Sequence, residues 1–167
     1  MNSTEYFDAY GYFKDLTEKN KLALQNGFHF CTCSGINSLE GPLNMMRDCQ
    51  AFVCLDDTND ASMVRGKGGG WFKNRNFTVF LLHRHLIGNE KDRIEKLTLC
   101  RNLFRQLVSK MIKDEKPFEN DMILLQTDTI LSRELGKYFM PDCTGLYFMI
   151  EQAEPVKLCY NPDEWQM

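Results

Sequence analysis

Phe77-Thr78-Val79-Phe80-Leu81-Leu82-His83-Arg84-His85 is the stretch on which the fold turns. Side chains alternate across a strand, so Phe77, Val79, Leu81 and His83 fall on one face and Phe80 and Leu82 on the other. Apolar residues on both faces predict a central strand, or one covered on its second side by a helix or a subunit. The strand is expected to run from Trp71 to His85. Past Gly88 the apolar period changes from two to that of a helix. From Asn89 to about Lys113, Ile94, Leu97, Cys100, Phe104, Leu107, Val108 and Met111 form a broad helical stripe of the kind that lies on a sheet. Asn89 can cap this helix, Glu90 and Asp92 suit its first turn, and Lys110 and Lys113 its last, with Pro117 as the stop.

Working outward, the amino-terminal side predicts a helix from about Ser3 to Asn20, with Tyr6, Tyr10, Phe13 and Leu16 at helical spacing and Asn2 or Ser3 as its cap. Phe28 to Cys33 reads as a strand between Gly27 and Gly35, and Asn37 to Arg47 as a short helix. Ala51 to Leu55 reads as a buried strand closed by the acidic turn Asp56 to Asp60. Beyond the long helix, Met122–Gln126, Thr129–Leu135 and Cys143–Gln152 read as strands. Strands come in blocks and do not alternate regularly with helices. The expectation is therefore an α+β fold, a mainly antiparallel sheet with the long amphipathic helix and the amino-terminal helix packed on one face.

The chain has 167 residues, 43% of them hydrophobic and 26% charged, which suits one domain spanning 1–167. No apolar run approaches the ~18 residues that a membrane-spanning helix needs. The first residues lack the basic and apolar regions of a secretory signal, and seven cysteines is an odd number, so reduced thiols in a cytoplasm are expected.

Charge is distributed unevenly. The net charge is −3, yet no acidic residue occurs from Ala61 through Asn89, where Arg65, Lys67, Lys73, Arg75 and Arg84 add five positive charges. Removing those five from −3 leaves −8 on the rest of the chain. Within this segment, Arg65-Gly66-Lys67-Gly68-Gly69-Gly70-Trp71 is not a phosphate loop: no Ser or Thr follows the lysine, and a strand comes next. It reads as the tip of a basic, glycine-rich hairpin spanning 61–76, with Trp71, Phe72 and Phe77 among the cations. Such a hairpin suits a partner contact through Arg65, Lys67, Trp71, Lys73, Arg75 and Arg84, above all with an acidic neighbouring subunit. A solvated hairpin and a nucleic-acid contact are the alternatives.

Other chemistry has weaker support. His29, Cys31 and Cys33 share one strand face and His83 and His85 share another, which side by side could offer a zinc set. Buried, hydrophobic thiols account for the same cysteines, and no metal or cofactor is expected. No local signature selects a Cys/His pair, and no paired-carboxylate site stands out, so no catalytic residue is assigned.

In its order of elements the chain resembles the small tail-terminator or tail-completion proteins of long-tailed phages and prophages. The resemblance rests on 76–82 leading into the 89–113 helix, on Thr144-Gly145-Leu146-Tyr147-Phe148-Met149-Ile150, and on the closing stretch 158–165. It implies a non-enzymatic structural protein that forms homo-oligomers and meets other protein subunits, in a bacterial host cytoplasm or a virion. By position, the 65–75 hairpin would be the contacting arm. The alternative function is a nucleic-acid-binding module using the same hairpin.

Overall fold

In a computed structural model of the chain, the structure describes residues 7–35, 38–45, 47–137, 140 and 142–166. The central strand is β4, Trp71–Arg84. It lies between β2 (Ala51–Asp56) and β6 (Cys143–Val156), antiparallel to both. The described residues form a sheet of six strands in the order β1 (Phe28–Cys33), β2, β4, β6, β5 (Leu124–Glu134), with β3 (Asp60–Arg65) on the first half of β4. Among the described residues only β1, which follows the short helix α2 (Lys21–Gln25), and β2 pair in parallel, joined by a crossover that carries α3 (Glu40–Met45). The architecture is α+β.

Both faces of the second half of β4 are covered, each by a different cluster. Phe77, Val79 and Leu81 pack with Phe13, Leu16, Leu103, Leu107 and Met111 beneath α1 (Ala9–Lys19) and α4 (Glu90–Asn120). Phe80 and Leu82 pack on the opposite side with Leu39, Leu43, Leu135 and Met140. The α4 stripe agrees with expectation for Leu97, Cys100, Leu107 and Met111, which are buried. It shifts at its edge: Ile94 is 48% exposed, and the unexpected Leu103 is fully buried.

Two helix boundaries and one strand depart from what the sequence predicts. α1 begins at Ala9, capped by Asp8, whose carboxylate accepts from the Gly11 N–H at 2.9 Å. The expected caps Asn2 and Ser3, with Tyr6, lie outside the described residues, as do Asn37 and Met46 of the short helix. Pro117 does not stop α4, which continues to Asn120 because Phe118 packs edge-on against Phe7 and Tyr12, at 5.5 and 5.2 Å between ring centres. The two expected strands after α4 are one, β5 (Leu124–Glu134), with a bulge between Gln126 and Leu131. The intervening residues therefore leave the ladder, and Ile130 packs on the core. Among the described residues no helix is long and apolar enough to cross a membrane.

Candidate functional site

Strand β3 and the first half of β4 form the hairpin, in register from Asp60↔Asn76 to Arg65↔Trp71. Its turn is closed by the Gly66 N–H donating to the Gly70 carbonyl at 2.7 Å and the Gly69 N–H to the Gly66 carbonyl at 2.9 Å. Gly69 has φ +88°, a conformation open to glycine and costly for other residues, which accounts for one glycine of the run. The other side of this half of β4 is held by β6, down to the pair Trp71↔Val156. Strand β3 is thus the outer strand, and all six of its residues are exposed.

The six expected contact residues separate into two groups. Arg65, Lys67 and Trp71 are exposed at the tip, beside exposed Met63 and Val64. Lys73 is half-buried and has an interaction partner of its own.

Arg75 and Arg84 correct the expectation. Arg75 is only 3% exposed. Its guanidinium lies 3.4 Å from the equally buried Glu154, donates to Gln152 at 3.3 Å and to the Phe7 carbonyl at 3.0 Å. Glu154 in turn accepts from the Phe7 N–H at 2.9 Å. The pair therefore grips both backbone groups of the residue that leads into α1. Arg84 donates to the carbonyls of Cys49 and Leu43, at 3.0 and 2.8 Å, and to Asp142 at 2.6 Å, and it lies over the Phe52 ring. Both arginines fasten the fold internally. The signal was in the strand phase: Arg75 alternates in step with Phe77 and Val79, and Arg84 with Phe80 and Leu82. The buried carboxylate that partners Arg75, Glu154, keeps the same phase as Phe148 and Ile150, but it lies past the expected end of its strand at Gln152.

The sheet divides the proposed zinc ligands. Cys31, Cys33 and Cys54 pack in the second cluster, whereas His83 stacks edge-on against Phe28 in the first, 5.7 Å between ring centres. Among the described residues no group of three His, Cys, Asp or Glu side chains converges for a metal ion. Cys54 is the register partner of Cys31, and hydrogen bonding between these thiols lowers the Cys31 pKa and raises that of Cys54. Burial pushes the thiols of Cys100 and Cys143 up to about 12, so both stay protonated at neutral pH. The exposed thiol is Cys159.

Two clefts escaped the sequence reading. One, of about 810 Å³, lies beside His83, His85 and Lys96, where Arg84–Asp142 and Lys96–Asp92 largely balance each other's charge. The other, of about 520 Å³, lies on the second face of the sheet near the base of the hairpin. Asp56, Asp60 and Glu151 line it together with Thr78, Leu131 and Met149. It forms because the cover over Phe80 and Leu82 does not extend along the strand to Thr78 and Asn76, a feature of tertiary packing with no sequence signature.

No protein-family model matches the chain, and no curated protein matches it either.

Proposed function

We propose that this chain is a non-enzymatic assembly protein that self-associates and meets other protein subunits through its β3–β4 hairpin, in the manner of a phage or prophage tail-terminator or tail-completion subunit. On this reading it works in a bacterial host cytoplasm or a virion. The observation that carries the proposal is the company of Met63, Val64 and Trp71 with Arg65 and Lys67 on one exposed hairpin. Aromatic residues, methionine and arginine are the types enriched at protein interfaces. An outer strand also offers unpaired backbone groups to a partner.

The nucleic-acid alternative needs a row of cations free to neutralise phosphates. With Arg75 and Arg84 engaged by Glu154 and Asp142, that row shortens to the neighbourhood of the tip. The exposed apolar residues favour a protein surface over a phosphate backbone.

Light scattering on a size-exclusion column across a range of protein concentrations tests the proposal. Mass above the monomer, reduced when Arg65, Lys67 and Trp71 are all replaced by Ala, is the expected result. A mass that stays monomeric at every concentration, or one that the triple variant leaves unchanged, refutes it.

A further inference from the structure

We propose that the hairpin tip of one copy seats in the acid-lined cleft of a second copy; this rests on the hairpin-docking reading and names the surface that receives the tip. Among the described residues the cleft presents three carboxylates, Asp56, Asp60 and Glu151, and no Lys or Arg lines it. Among the described residues none of the three is in an ion pair. Asp56 accepts from the Gly35 and Thr58 N–H groups, and Glu151 accepts from Asn74. Beside them, Leu131 and Met149 are register partners on β5 and β6 and are left exposed, at 61% and 36%. Carboxylates beside exposed apolar side chains are complementary to what the tip offers: Arg65 and Lys67 as charge, Trp71 as apolar surface. Between Arg65 and Trp71, Lys67 is the only residue with a side chain larger than hydrogen. The tip therefore presents its two cations and its indole with little other side-chain bulk between them.

The occupant comes from another molecule. From Asn76, at the cleft, to Trp71, at the tip, β4 advances five residues, roughly 17 Å at ~3.3 Å per residue. Strand pairing on both sides holds β4 extended over that length, so the tip cannot fold back into its own cleft. A second copy supplies the missing half of the contact with no additional component. Tip and cleft are different surfaces, so the contact closes either as a mutual exchange or as a head-to-tail series.

Charge reversal tests this directly. A tip variant, Arg65→Glu with Lys67→Glu, carries two negative surfaces. A cleft variant, Asp60→Lys with Glu151→Lys, carries two positive ones. Each alone should associate at least tenfold more weakly than the wild type in sedimentation velocity at low salt. Mixed, the tip of each variant meets a cleft of opposite sign on the other variant, and association should return and then weaken on adding salt. If the cleft variant associates like the wild type while the tip variant does not, the cleft is wrong and the docking hairpin stands. A mixture that stays monomeric also overturns the cleft. If neither variant changes association, both readings fall. Should the cleft reversal fail to fold, Asp60→Asn with Glu151→Gln replaces it, with the same tenfold loss expected and wild-type association counting against the cleft.

Discussion

Two buried side chains show how a residue read as surface charge can hold the interior together. Arg75 and Glu154 are both almost fully enclosed, and burying the two charges costs more than their attraction returns unless other hydrogen bonds fill the remaining sites. Gln152 and the Phe7 backbone fill them here. Arg75→Met strands the Glu154 carboxylate and should cost about 3–5 kcal/mol in urea denaturation, whereas Arg75→Met with Glu154→Leu should recover much of the loss. A double variant no more stable than the single would show that the pair is worth more than its apolar replacement. His83 makes a second prediction at this scale. Burial disfavours its imidazolium and lowers its pKa below 6.5, with Lys96 adding to the effect and the Arg84 carbonyl and Asp92 opposing it. The unfolded chain then takes up a proton that the folded chain refuses. The stability this group contributes is complete above pH 6.5 and lost as pH falls through 6.5 toward the folded value. Denaturation midpoints should drop more between pH 7.5 and 5.5 in the wild type than in His83→Gln; equal drops would refute the assignment.

Among the elements, the end of α4 and the middle of the sheet carry the tightest constraints. Sequence pattern located α4 and its Asn89 cap, which accepts from the Asp92 N–H at 3.0 Å, but misjudged its end. A proline ordinarily ends a helix because it lacks an N–H. Here the aromatic packing of Phe118 outweighs that loss, and the chain turns at Met122 with φ 61°, a position where glycine is usual. In the sheet, Gly145 faces Leu82, and a Cβ there would lie 1.9 Å from the Leu81 carbonyl oxygen, at φ +154°. Gly145→Ala should therefore cost roughly 3 kcal/mol or more in the same denaturation measurement, since neither backbone can give way. A loss under about 1 kcal/mol would mean that the strands separate more easily than their pairing indicates.

For the molecule as a whole, local pattern determined what depends on neighbours along the chain. The period of two in β4, with apolar residues on both faces, called for a central strand covered on each side. The period of 3.6 in α4 called for a helix lying across it, and together they specify the α+β class. Strand phase, taken strictly, also placed Arg75 and Arg84 inward, although a count of charges read them as surface. Tertiary structure decided what depends on residues distant in sequence. It gave Arg75 to Glu154 and Arg84 to Asp142, and it put a sheet between His83 and Cys31–Cys33. It also left the upper part of the second sheet face open as an acidic cleft. The reason is physical: periodicity records which face a side chain takes, whereas charge partners and clefts arise from the register between strands and from where the covering layer stops.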